Sequence, residues 1–166
     1  MSEKTEIICK IGILSALYVV LSAFLKITII GNIQVDLGYI AFAVALCELG
    51  IHGTYVGAIG CAVESILFSA YGFSISWLVA NITIGIIYGL IVRRKDNTLY
   101  KIMAAAFGCI IGLLILKTVI ECALYGIPVA VKIPKNAVAM CMDFATMTFG
   151  IILYQFLLPK MRYKNV

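Results

Sequence analysis

Apolar runs too long for any soluble core set the limits on what this chain can become. Reading for stretches broken only by charge, glycine or turn residues gives six of them, at residues 7–25, 37–51, 54–70, 73–92, 102–125 and 137–158. A helix needs roughly 20 apolar residues to cross a hydrocarbon core about 30 Å thick. Six such spans with short connectors use almost all of the 166 residues. Composition agrees, with 63% hydrophobic residues, 13% charged ones and a mean hydropathy of +1.09. The chain therefore reads as an all-α membrane protein, a single transmembrane domain over 1–166 with six helices in one bundle. The first run follows Glu3, Lys4, Glu6 and Lys10, is longer than a signal-peptide core and precedes no small-residue cleavage site, so it reads as a retained first helix.

Charge orients the bundle. If six helices alternate, Lys4, Lys10, Arg93, Arg94, Lys95, Lys101, Lys160, Arg162 and Lys164 fall on one side and only Lys26, Lys132 and Lys135 on the other. The excess of basic residues predicts cytoplasmic N and C termini and a cytoplasmic 93–101 loop, in a bacterial-type plasma membrane. The net charge of +5 is this bias at a lipid surface. No soluble basic face is left for nucleic acid. The cysteines Cys9, Cys47, Cys61, Cys109, Cys122 and Cys141 are scattered without CxxC spacing, and they read as packing residues. His52 is the sole histidine and has no ligand partner near it in sequence, so no metal site is expected.

The connectors on the other side differ among themselves. Residues 26–35 carry the β-branched run Ile27, Thr28, Ile29, Ile30 and then Gly31-Asn32, which predicts an extended segment and a turn. Asp36 is placed to cap the second helix. Residues 126–135, with Pro128 and Pro134, read as a long external loop, and Tyr71-Gly72 as a tight connection. Small residues recur at helical spacing, with Gly12 and Ala16 in the first run, Gly53, Gly57 and Gly60 in the third, Gly85 and Gly89 in the fourth, and Gly108 and Gly112 in the fifth. Such rows let helix backbones approach closely in lipid. Those of the third to fifth runs read as packing inside the bundle. The row on the first, peripheral helix serves equally for a partner.

Ionisable side chains within the runs are the informative residues, because a charge at bilayer depth costs about 2.5 to 3.5 kcal/mol and faces a cavity or a partner. Counted from the outer end of its run, Glu64 lies six residues in, Asn81 eight, Lys117 eight, Glu121 four and Asp143 six. At 1.5 Å per residue the five share a layer about 6 Å thick. Each belongs to a helical stripe: Ser74, Trp77, Asn81, Gly85 and Tyr88; Lys117 and Glu121; Asn136, Met140, Asp143 and Met147. An aromatic ring, an amide, a lysine and carboxylates around an outward-facing hollow suit a polar, ring-containing small molecule. The candidate binding set is thus Ser74, Trp77, Asn81, Lys117, Glu121, Met140, Asp143 and Glu64. The alternative is that Lys117, Glu121 and Asp143 neutralise one another to fix helix register. Glu48, with His52 one turn on, reads as a solvated interfacial pair.

Several segments resemble a known family. The run Ile33-Gln34-Val35-Asp36-Leu37-Gly38-Tyr39-Ile40, then GIHGTYVGAIG over 50–60 leading into Glu64-Ser65-Ile66-Leu67-Phe68, then Gly72-Phe73-Ser74-Ile75-Ser76-Trp77, and Gly85 to Gly89 before Arg93-Arg94, are similar to the substrate-binding S component of energy-coupling factor (ECF) vitamin transporters. The resemblance implies a six-helix subunit that captures a vitamin-like solute under its first external loop. It also implies a transmembrane coupling subunit and two cytoplasmic ATPase subunits as partners, so that ATP is hydrolysed elsewhere and this chain needs no cofactor. In that family small residues on the first helix face the coupling subunit, which implies Gly12 and Ala16 here. Substrate contacts come from helices four to six and the external loops. Two positions depart from the family pattern, Gly50-Ile51 where many members carry Gly-Pro, and Gln34 where they carry a basic residue. The second argues against a substrate carboxylate anchored there.

Other functions fare worse on the residues. An intramembrane enzyme lacks support, since no serine is paired with a membrane-embedded histidine and no HExxH or paired-aspartate phosphotransferase signature occurs. A structural or morphogenetic subunit needs no polar hollow. A stand-alone secondary transporter is disfavoured by the small size and the absence of inverted repeats.

Overall fold

The computed structural model describes residues 2–24, 27–30, 33–68, 73–93 and 97–162. The turn expected at Gly31-Asn32, the tight connection at Tyr71-Gly72 and positions 94–96 of the basic loop lie outside them. Helix α1 (Glu3–Phe24) is followed by strands β1 (Ile27–Ile30) and β2 (Ile33–Val35), then α2 (Gly38–Leu49), a 3-10 turn (Gly50–Gly53) and α3 (Thr54–Phe68). Helix α4 (Ile75–Val92) precedes a long helix with three parts: α5 (Thr98–Cys109), a π-helical segment (Ile110–Leu116) and α6 (Lys117–Tyr125). The described chain finishes in α7 (Val129–Arg162).

Five stretches are long and apolar enough to cross a membrane by length and composition: Glu3–Phe24, Gly38–Phe68, Ile75–Val92, Thr98–Tyr125 and Val129–Leu157. The second is not one rod. A Cβ at Gly57 would lie 2.5 Å from the Phe42 ring and one at Gly53 2.7 Å from the Ala45 carbonyl oxygen, contacts that residues so far apart in a straight helix cannot make. The chain doubles back at Gly50, whose φ of +57° is open to glycine and strained for other residues.

The core lies along α2, where seven of twelve residues are buried, including Tyr39, Phe42 and Leu46. Tyr18, Val56, Ile84, Tyr88, Leu113, Met147 and Ile151 close around it from the other helices. The expected glycine rows do this packing. A Cβ at Gly60 would meet Tyr18 at 2.5 Å, at Gly89 Ile51 at 2.8 Å and at Gly112 the Ala80 carbonyl at 2.8 Å. Outward faces stay apolar, with Ile13 and Phe24 on α1 and Ile66 and Leu67 on α3 all exposed. An apolar exterior over such an area is a surface for lipid.

Two connectors differ in outcome. The β-branched run is extended as expected, forming β1, and it pairs antiparallel with β2, Ile27 opposite Val35. Asp36 Oδ1 accepts from the Gly38 amide (2.8 Å) and from Ser22 Oγ (2.5 Å), so it caps α2 and ties it to α1. The expected loop over 126–135 is instead mostly helix, because α7 starts at Val129. Pro128 lies just before the first helical residue, where its fixed φ favours helix initiation. Pro134 deletes one backbone bond, to the Ala130 carbonyl, without stopping the helix.

Candidate functional site

At the end of the bundle where α4 and α7 begin, here called the upper end, polar side chains from three helices meet. On α4, Asn81 is fully buried and its Nδ2 donates 3.1 Å to the Trp77 carbonyl one turn back. That bond fixes the amide and leaves Oδ1 without a hydrogen-bond partner among the described residues. Ser74 and Ser76 lie 3.1 Å apart at the start of the helix, and Ser76 Oγ donates to Glu121 Oε1 at 3.3 Å.

Lys117 and Glu121 reach the centre because of the π segment. Buried positions along the long helix run 101, 104, 105, 108, 109, 112 and 113, the rhythm of an α-helix. Continued unchanged, the rhythm would bring residues near 115–116 and 119 inward, yet Ile115 and Val119 are exposed, and Lys117, Thr118 and Glu121 are buried. The seven-residue π segment Ile110–Leu116 absorbs the extra residue and re-phases the helix. Lys117 then lies 4% exposed, its ammonium 3.4 Å from the centroid of the Trp77 ring. A cation on an indole face at this distance is a favourable contact.

The upper turns of α7 supply the rest. Lys132 Nζ pairs with Glu121 Oε2 at 2.9 Å, and Asn136 Nδ2 donates to Thr118 Oγ1 at 2.9 Å and to Glu121 Oε2 at 3.4 Å. Asp143 is 1% exposed, and neither of its carboxylate oxygens has a hydrogen-bond partner among the described residues. Tyr39, buried between Trp77 (6.3 Å between centroids) and Tyr18 (6.3 Å), also keeps its hydroxyl without a partner among them.

Of the residues singled out in the sequence, Ser74, Trp77, Lys117 and Glu121 fall in this cluster; Asn81 is buried and bonded to the Trp77 carbonyl, and Asp143 is buried within electrostatic range of Lys117. Met140 is half-buried and packs on the core. Glu64, on α3, is half-buried and lies within electrostatic range of Tyr18 and Cys61. Glu121 pairs with Lys132, a residue that charge counting assigns to a loop. Ser76, Thr118 and Tyr39 carried no charge to mark them. Gly12 and Ala16 are exposed on α1, and a Cβ at Gly12 would meet nothing within 4 Å.

The opposite, lower end holds a second polar cluster. Glu48 is joined to Lys10 (2.8 Å) and accepts from the Tyr154 hydroxyl (2.6 Å), while Lys10 also pairs with Glu6 (2.9 Å). This corrects the expected Glu48–His52 pair, since His52 stacks on Tyr55 instead. A cleft of about 310 Å³ opens beside these residues, between the start of α1 and the end of α2.

Known proteins resemble the chain in three ways. Over 94 residues it is 31% identical to a UPF0397 protein of Streptococcus thermophilus, covering 54% of this chain and 50% of the relative, so the match spans about half of that protein's length. The fold superposes on the S-component for biotin from an ECF-type ABC transporter with a TM-score of 0.70 at 14% identity, covering 96% of this chain and 95% of that one. It superposes on the S component of a bacterial ECF transporter with a TM-score of 0.67 at 22% identity, covering 96% and 99%. At such identities the two structures establish the fold alone. The family model described as "ECF-type riboflavin transporter, S component" matches residues 2–163, nearly the whole of a multi-helix, lipid-facing chain whose family works in transport and not in catalysis. The chain belongs to the ECF-type riboflavin transporter S-component family.

Proposed function

We propose that this chain is the high-affinity substrate-binding subunit of an ECF-type ABC importer for a vitamin or related micronutrient, and that the upper polar centre holds the solute. One observation carries this reading. Both Asp143 oxygens and Asn81 Oδ1 are buried without hydrogen-bond partners among the described residues, Asn81 bonded to the Trp77 carbonyl and Asp143 within electrostatic range of the Lys117 ammonium that lies on the Trp77 ring. Burying such groups costs folding about 1 to 3 kcal/mol each. A ligand with N–H or O–H donors satisfies Asn81 Oδ1, and a flat ring stacks on Trp77. Riboflavin, named by the family's description, has both a flat heteroaromatic ring and several donors, and is the first solute to test. Ser74 and Glu121 form the rim in this reading, Met140 an apolar wall and Glu64 its α3 side.

The same reading gives six crossings of a bacterial-type plasma membrane, with both termini and the 93–101 loop in the cytoplasm. The nine-to-three distribution of basic residues and the reversal at Gly50 support it. The partners are a transmembrane coupling subunit, docked on the Gly12 and Ala16 face, and two cytoplasmic ATPases. ATP is hydrolysed by those partners.

The test is a riboflavin-binding isotherm on the purified protein. Asn81→Ala should weaken binding by about 1 to 3 kcal/mol, and Trp77→Ala by about 1 kcal/mol through lost stacking. Wild-type affinity in both variants, with unchanged melting curves, would remove the upper centre as the site. Cysteine labelling at position 97 in a Cys-free background tests the orientation, which external reactivity there would overturn.

A further inference from the structure

The upper centre contains a mismatch. Lys117, a buried cation, lies on the face of Trp77 and has no carboxylate oxygen within 4.0 Å among the described residues. Asp143, a buried carboxylate within electrostatic range of it, has no hydrogen-bond partner among them. Glu121, which also interacts with Lys117, is already held by Lys132, Asn136 and Ser76. Two opposite buried charges thus lie within electrostatic range without a direct contact, and the cation rests on the flat surface that a stacking ligand needs. Tyr39 packs beside the indole from α2, its ring centroid 6.3 Å away.

We infer that Lys117 is a displaceable occupant of the Trp77 face: an incoming flat ligand takes its place on the indole while the ammonium swings to the Asp143 carboxylate. This rests on the binding site proposed above. A lysine stem has the reach and rotamer freedom for such a move, and its ammonium is a compact charge that a carboxylate holds well. The cation–π contact given up is of the order of a tenfold factor in the equilibrium. The ion pair formed in its place joins two buried groups that lack a direct partner. Ligand entry and pair formation therefore occur as one event, and the pair closes beside the bound ring. A consequence for specificity follows. The displaced ammonium stays in the site beside the ring, so the site takes flat rings without positive charge and rejects cationic ones.

Trp77 is the sole tryptophan, so its emission reports on this face without interference. The experiment is stopped-flow mixing of riboflavin with the full chain in detergent, for wild type, Lys117→Met, Asp143→Asn and the double variant. Lys117→Met should associate about tenfold faster, having no cation to displace. Asp143→Asn should bind about tenfold more weakly while Lys117 is present, and the same change should have little effect in the Lys117→Met background. The double variant leaves no buried charge unpaired, which keeps the comparison available if a single variant folds poorly. If Lys117→Met weakens binding and Asp143→Asn costs the same in both backgrounds, Lys117 is a direct ligand contact and displacement is wrong. Loss of riboflavin binding in Trp77→Ala without any gain in Lys117→Met overturns displacement but leaves the site standing. No emission response in folded wild-type protein removes the site and this inference together.

Discussion

At the lower end of α2, Glu48 receives Lys10 and Tyr154, and Lys10 has Glu6 as well. Toward the upper end, Glu121 is equally well served, yet Asp143 and Asn81 are buried with open acceptors. The two clusters use similar residue types on overlapping sets of helices. Their difference lies in satisfaction. A polar cluster whose groups pair with one another holds helices together, and the lower one joins α1, α2 and α7. A cluster that buries acceptors without donors lowers the stability of the fold and is worth keeping only where something else supplies the donors.

Substitutions can break or sharpen this contrast, and the largest effect is expected where charge is buried. Lys117→Met alone should destabilise the protein by about 3 kcal/mol by leaving Asp143 without a counter-charge, and adding Asp143→Asn should restore most of the loss. Detergent melting curves of both singles and the double measure this. Additive losses would show that the two charges are independent. Next, Asn81→Leu should raise the melting temperature by removing an unsatisfied amide, and weaken riboflavin binding by about 1 to 3 kcal/mol. A variant that melts earlier would place the amide among the structural groups and erase the contrast. Glu48→Gln should do the reverse, costing about 1 kcal/mol of stability and leaving the isotherm unchanged. Altered riboflavin affinity there would join the two clusters into one system. The smallest effect on the isolated protein is expected at Gly12→Leu and Ala16→Leu. A Cβ at Gly12 meets nothing, so melting and binding should match wild type, while uptake by the assembled transporter is lost. Retained uptake would remove α1 as the docking face.

The membrane-embedded helical character was legible because it depends on the length of apolar runs, a property that no tertiary contact alters. The extended segment of β1 was legible for a local reason, its β-branched residues. The start of α7 was not, since Pro128, Lys132, Pro134 and Lys135 together look like a polar loop until the helix is seen to continue two turns above its apolar part. Charge counting puts Lys132 in an external connector on that account, although it is the partner of Glu121. Glu48 was matched with His52, one turn away, because sequence shows neighbours along a helix. Its actual partners lie 38 and 106 residues off. Polar depth places Glu64, Asn81, Lys117, Glu121 and Asp143 in one layer, but which of them are satisfied depends on side-chain directions that spacing does not encode.

The π segment between Ile110 and Leu116 has a counterpart at the level of the gene. It is one residue more than an α-helix requires between its two packed halves, so removing a single codon there yields a helix with the same hydropathy and nearly the same length. The upper half would then keep its phase relative to the lower and move about 1.5 Å closer to it. One codon gained in the segment would instead turn the upper half by about 100° and swing Lys117 and Glu121 away from Trp77 and Lys132. Inserting a leucine after Ile115 should therefore preserve helix content by circular dichroism and abolish riboflavin binding, whereas deleting Ile115 should retain both. In this chain the identity of the polar centre is written partly in a count of residues, and one codon gained would erase it without touching any residue that lines it.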